Sequence, residues 1–310
     1  MTNPTLRPYL WMLVGSFAFS WMGTLAHHVG SAEGHALDWQ VVAIFRAVLP
    51  LVLVGAWALA AGVKLVFWRP RILWMRSLAG SLSLIGTFFA LTRKDLGVSD
   101  VFTLTNMFPV WVALLAWPML GVFPSGKIWL SVACGAAGVV LICQPRLAEG
   151  NFAALVAVSV SVFTALAMIG LHRVRHIDTR AVVVHFSATA LFFATAAFFI
   201  FPRQQVTYAL ESRQWCYLLG VGLTATIGQI CLTKAFTLGD PAKISVVGLT
   251  QIVFALTLDT LVLGHDLDPM KLLGIPLVIG PTAWLMLRHH PAPGAEFSDE
   301  PIETTPNINE

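Results

Sequence analysis

The sequence predicts an all-α polytopic membrane protein, with ten transmembrane helices arranged as two inverted five-helix repeats. Three observations predict this: the composition, a series of apolar runs of bilayer length, and a self-similarity between the two halves of the chain. Of 310 residues, 57% are hydrophobic and 11% charged, with a mean hydropathy of +0.76. An ordinary soluble domain carries about 25% charged residues to wet its surface, whereas 19 Lys and Arg with 16 Asp and Glu serve this whole chain. Lipid must cover most of the surface. That excludes a soluble enzyme, an ordinary nucleic-acid binder and a secreted module, and the net charge of +3 is too small to attract a polyanion, so no nucleic-acid partner is expected. Cys134, Cys143, Cys216 and Cys231 fall in or beside apolar runs without Cys-x-x-Cys spacing. They read as small buried hydrophobes.

A bilayer core of about 30 Å takes about 20 apolar residues per helix. Runs of that kind lie at 9–26, 40–62, 74–92, 99–119, 127–143, 152–171, 181–201, 215–236, 243–263 and 271–287. They lack the alternation of barrel strands and are twice a barrel strand's length. Residues 1–8 then form a short N-terminal segment, 9–144 and 150–288 two five-helix units, and 291–310 an acidic tail too rich in Pro, Thr and Asn to bury a core. The first run ends at His27 and His28 rather than at a small-residue cleavage site, so it reads as a retained helix. With the N-terminus inside, twelve loop cations fall on the inner side, Arg76 among them, and six on the outer. The positive-inside bias therefore places both termini in the cytoplasm of a cell whose inner (plasma) membrane holds the chain.

Offsetting the sequence against itself by 142 positions aligns Gly80 with Gly222, Gly86 with Gly228, Leu96-Gly97 with Leu238-Gly239, Ala113 with Ala255, and Gly138 with Gly280. Val41-Val42 and Val183-Val184 align the second and seventh spans in the same register. An odd number of spans per copy forces the second copy to enter the membrane upside down. Two such halves can exchange conformations, so that one central site opens to either side in turn.

The stretch Arg76-Ser-Leu-Ala-Gly80, Phe89-Ala90-Leu91, Pro109 and Trp111 resembles a repeat of the EamA type. Thr233-Lys234-Ala235-Phe236, Gly239-Asp-Pro-Ala and Leu263-Gly264 resemble the second such repeat. From about residue 8 to 288 the chain is similar to the drug/metabolite transporter superfamily. The resemblance implies ten helices, a five-plus-five inverted arrangement and both termini inside. Members commonly carry a Glu just after the fourth and ninth spans; here the sequence reads Gly121-Val-Phe-Pro in the first copy and Gly264-His265-Asp266 in the second. Lys234 matches a basic position common in that motif, at the inner mouth.

An Asp, Lys or Arg at the centre of a membrane helix costs about 2.5–3.5 kcal/mol on insertion scales, so each needs a reason. Arg46 lies some six residues inside the second span and Asp259 near the outer end of the ninth, both in the outer half of the bilayer. They are candidates for a mutual ion pair, fixed or gating, and Asp259 for a proton-carrying acid. Asn106 precedes Pro109 in the fourth span, a helix the proline must perturb. Gln251 occupies the repeat position of Pro109, and Gln229 adjoins Gly228. Asn106, Gln229 and Gln251 read either as pocket lining or as interhelical glue. Trp21 and Trp111, away from the interfaces, are candidates to stack on a planar or cationic substrate or to pack the core. His185 reads as a marker of the inner interface. Arg46, Asp259 and Lys234 thus form the candidate coupling or gate set, and Asn106, Trp111, Gln229, Gln251 and Trp21 the candidate substrate-binding set.

Two patterns mislead. Gly121-Val-Phe-Pro-Ser-Gly126-Lys127 is followed by Ile128 rather than Ser or Thr and joins two membrane helices, so it is no phosphate loop. His172 and His176 stand alone in a basic loop rather than in a set of metal-binding boxes. No cofactor, metal site or catalytic set is read, and the chain reads as no enzyme. The expected function is a secondary transporter of a small organic metabolite or drug, with a proton or a counter-substrate as coupling partner. An uncoupled exchanger is the alternative in kind, and a membrane-embedded enzyme or lipid-handling protein the alternative in class.

Overall fold

The structure is a computed structural model and describes residues 6–31, 37–91, 103–144, 152–202, 212–263 and 269–287. Among the described residues it is helical throughout: α1 (Arg7–Ser31), α2 (Trp39–Ala60), α3 (Arg71–Leu91), α4 (Phe108–Leu120), α5 (Gly126–Cys143), α6 (Phe152–Arg173), α7 (Thr179–Ile200), α8 (Ser212–Leu238), α9 (Pro241–Gly248), α10 (Thr250–Leu263) and α11 (Pro269–Leu287). Ten helices, counting Thr103–Leu120 and Pro241–Leu258 as one each, are long and apolar enough to cross a membrane. The N-terminal half of the ninth span is the short α9, set off from α10 at Leu249. The acidic tail and the Gly264-His265-Asp266 stretch lie outside the described residues, as does the side chain of Asp259.

Local chemistry explains where the helices start and stop. Asp178 accepts the backbone N–H of Arg180 at 2.8 Å and so caps α7. Asp240 accepts those of Ala242 and Lys243 at 2.9 and 3.4 Å and caps α9, whose Pro241 needs no hydrogen-bond acceptor in the first turn. Gly121, at φ 72°, closes α4 in a left-handed conformation.

The helices pack in a pattern that survives exchange of the two halves. α1 lies on α8 and on the ninth span, α9 with α10; its counterpart α6 lies on α3 and on α4. α2 and α7 pack on each other, and so do α5 and α11. Four of the glycines that align at the repeat offset, Gly80, Gly86, Gly222 and Gly228, make such approaches. A Cβ on Gly86 would stand 2.5 Å from Val160 of α6, and one on Gly228 2.8 Å from Phe19 of α1. A Cβ on Gly80 would meet Phe186 of α7 at 2.9 Å, and one on Gly222 would meet Leu49 of α2 at 2.6 Å. Without lipid-facing hydrophobic gain between helices, close backbone approach at small residues is what holds a membrane bundle together. Large apolar side chains such as Leu59, Trp117, Phe192, Phe199 and Leu261 are exposed on the outside of this bundle, as a lipid-facing surface requires.

Candidate functional site

The fourth and ninth spans break at equivalent residues. Met107 N–H donates to Leu104 O at 3.3 Å and Val110 N–H to Met107 O at 3.0 Å. Leu249 N–H donates to Val246 O at 3.1 Å and Ile252 N–H to Leu249 O at 3.0 Å. Each member of the second set is the first shifted by the 142-residue offset. Pro109, in the first turn of α4, supplies the cause in the fourth span because it has no N–H to continue the ladder. The ninth span has no proline there, and a carbonyl freed by its break finds a donor on α1: Ser16 Oγ stands 3.5 Å from Gly248 O. One turn further along α1, Ser20 Oγ stands 2.7 Å from Gln251 O. A Cβ on Gly248 would be 2.8 Å from Met12 Cε and 3.4 Å from Phe108 Cζ, so the two breaks meet beside α1. Irregular backbone at membrane depth is tolerated only where protein or a cavity satisfies it.

Next to this region, α2, α3, α7 and α8 enclose a small space lined by Arg46, Leu84, Phe186, Ser187, Ala225 and Gln229 among others. Its volume, about 10 Å³, suits a single water. Arg46 Nε–H points to Met22 Sδ at 3.2 Å, and its guanidinium carbon lies 5.9 Å from the Phe19 ring centre. Gln229 is buried, with Nε2 3.5 Å from Thr233 Oγ1.

Arg76 does not belong to the loop cations. α3 begins at Arg71, which carries Arg76 more than a turn into the helix, and its side chain is 1% exposed. The guanidinium carbon stands 4.0 Å from the Phe186 ring centre, and Nε and Nη1 have no hydrogen-bond partner. Two glycines make room for it: a Cβ on Gly170 would be 2.8 Å from Arg76 Cβ, and one on Gly80 3.0 Å from Nη1. His185 is buried too, at 3% exposed, beside the loop that joins α2 to α3. Its Nε2–H donates to Phe67 O at 3.1 Å, and Nδ1 lies 2.8 Å from Ser77 Oγ. Because a carbonyl only accepts, this fixes Nε2 as the protonated nitrogen. The signal that marks Arg76 in the sequence is its place between apolar residues four positions before Gly80, on the face where that glycine admits a neighbour.

A second cavity of about 250 Å³ opens at the end of the bundle where α6 turns into α7, lined by Trp57, Asp178, Thr179, Arg180, Ile230 and Lys234. Lys234 Nζ lies 4.3 Å from the Trp11 ring centre and the Arg180 guanidinium 4.9 Å from that of Trp57. The Asp178 carboxylate is bound by Arg180 at 2.9 and 3.0 Å, which holds its pKa below the usual carboxylate value.

Residues 150–287 match the EamA-like transporter family. The match lies in the second half of the chain. Over 248 residues the chain is 27% identical to the pseudopaline exporter CntI of Pseudomonas aeruginosa, which covers 78% of this chain and 82% of that one. A probable transport protein of Saccharomyces cerevisiae is 22% identical over 246 residues, 71% of this chain and 69% of the other. A protein crystal structure shares the fold with a TM-score of 0.74 at 17% identity, over 92% of this chain and 97% of that one.

Within this fold the residues singled out by the sequence separate into groups. Arg46 and Gln229 share the small central space. Lys234 stands apart from them, in the larger cavity. Asn106 sits in the turn of the fourth-span break, and Gln251 is half-buried in the first turn after the ninth-span break. Trp111 joins α4 to α6 by donating its indole N–H to Ser161 Oγ at 2.8 Å. Trp21 is half-buried on α1. The described contacts of Arg46 are Met22 and Phe19; those of Asp259 lie outside the described residues.

Proposed function

We propose that the chain is a secondary transporter that moves a small organic molecule through a central site by alternating access. The observation that carries this reading is the pair of helix breaks with the same hydrogen bonds at Met107 and Leu249. Broken helices at corresponding positions of two repeats are the arrangement from which carriers build a midplane site. The EamA match and relatives named as a transport protein and an exporter favour a carrier over an enzyme. Five-helix units at 9–144 and 150–288, related by an axis in the membrane plane, supply the two exchanging halves. The surplus of loop cations on the side of the termini favours both ends in the cytoplasm and an inner-membrane location. The coupling partner is a proton carried by Asp259, or a counter-substrate.

The test uses single cysteines at Asn106 and Gln251 in a chain whose four native cysteines are replaced, reconstituted in proteoliposomes with a metabolite panel in counterflow. Exchange of at least one metabolite, with that metabolite slowing labelling at both positions, is the expected result. Labelling of both positions from neither side, together with no exchange, would overturn the reading. An imposed pH gradient separates the coupling modes: a proton carrier loses gradient-driven accumulation in Asp259→Asn while keeping exchange, and an exchanger is unaffected by either.

A further inference from the structure

We propose that the transported molecule is an organic anion, recognised through a carboxylate by Arg46 when the space between α2, α3, α7 and α8, closed here to about the size of one water, opens to one side. This deepens the transporter reading and rests on it. Arg46 and Arg76 are both inside membrane-spanning helices, and neither is within ion-pair distance of a described carboxylate; the ion pair between described residues is Arg180 with Asp178. Arg76 is 1% exposed and keeps two nitrogens without a partner. It rests on Phe186, and Phe186 lines the space that Arg46 lines. Two positive charges are therefore set around one small site with low-dielectric walls, where their field on an incoming anion is strong. The Arg46 guanidinium is held at its edge by a thioether sulfur, a weak acceptor that an oxyanion displaces readily. A guanidinium fork matches a carboxylate with two parallel hydrogen bonds, and Gln229 beside it adds an uncharged donor. The larger cavity repeats the sign: Lys234 and Arg180 both face it, and the Asp178 carboxylate there is already engaged by Arg180. An anion thus meets net positive charge at the mouth and again at the centre. Arg76, separated from the site by the Phe186 ring, acts as a positioning and field-setting residue.

The experiment is counterflow into proteoliposomes holding the full chain. The probes are citrate, succinate and L-glutamate, the uncharged succinamide and L-glutamine, glycerol 3-phosphate, and the cations tetraethylammonium and ethidium. At least one carboxylate is expected to exchange ten times faster than its uncharged counterpart. Arg46→Gln should lower that flux at least tenfold, with Arg46→Lys recovering part of it. Exchange confined to uncharged or cationic probes overturns this inference and leaves the transporter reading standing; preference for the phosphate ester over every carboxylate overturns the carboxylate assignment. Recovery of the Arg46→Gln flux by Asp259→Asn also overturns it, since Arg46 would then serve only to balance that acid. Exchange of none of the probes counts against the transporter reading and against this one with it. If Arg46→Gln does not fold, phenylglyoxal modification of the unaltered chain, mapped to Arg46 by mass spectrometry, replaces it. Slowing by the exchanged carboxylate of threefold or more is expected, and an unchanged rate overturns the proposal.

Discussion

The guanidinium of Arg76 lies 4.0 Å from the centre of the Phe186 ring, and it is the ring, rather than a carboxylate, that this buried cation faces. A cation over an aromatic face is worth about 2 kcal/mol when both are desolvated. Phe186→Leu keeps most of the volume and removes the π face. We expect it to lower unfolding stability by about 2 kcal/mol, measured by denaturant titration in detergent micelles, while Phe186→Tyr stays near the parent. A Phe186→Leu chain as stable as the parent would show that the ring contributes only bulk.

The repeat glycines differ in what an added methyl meets. Gly228→Ala places Cβ 2.8 Å from Phe19 and Gly86→Ala places it 2.5 Å from Val160, whereas at Gly280 nothing lies within 4 Å. Overpacking of this kind costs about 1–3 kcal/mol. The thermal midpoint should fall for the first two and hold or rise for Gly280→Ala.

Asp178 caps α7 and pairs with Arg180 outside the spans. Loss of such a cap costs about 1 kcal/mol. The folded carboxyl has a pKa below its unfolded value of about 3.9, so its contribution is complete above that pH and fades as the pH falls through the folded value. The stability gap between the parent and Asp178→Ala, followed by denaturant titration against pH, should be constant from about pH 8 to 5 and narrow below about 4. A gap that widened on acidification would contradict the assigned pairing.

Ser20 reaches the Gln251 carbonyl just past the ninth-span break. Ser20→Ala leaves that carbonyl without its side-chain donor, at a cost of about 1 kcal/mol. Pro109→Ala returns an N–H to the fourth span and permits the ladder to close across Met107. Hydrogen exchange should slow at Val110 and its neighbours in Pro109→Ala, and counterflow should fall about tenfold, as expected if opening of the site uses the break.

Span number and repeat register were legible because lipid imposes a strict length on every apolar run and because small residues must recur where helices approach. Gly86 and Gly228, aligned from the sequence, make equivalent contacts with α6 and α1. Pro109 announced the break in the fourth span through its missing N–H. The ninth-span break at Leu249 carried no such mark, since its supporting donor comes from Ser16, more than two hundred residues away in the chain. Arg76 was hidden for a related reason: a cation near the start of an apolar run looks like a loop residue until the helix is seen to begin at Arg71. The burial of His185 was hidden in the same way, its partners Ser77 and Phe67 lying in another part of the sequence.

The two breaks share a backbone pattern but not side chains. Met107 is unbranched and half-buried, whereas Leu249 is 1% exposed and lodged against Gly135. In a carrier of this design the same bend therefore yields at different thresholds in the two halves. On the alternating-access reading proposed above, unequal packing at Met107 and Leu249 gives the inward- and outward-facing conformers unequal lifetimes. A single apolar side chain far from any charge then sets how long each face stays open, while the gradients alone set the direction of net flow.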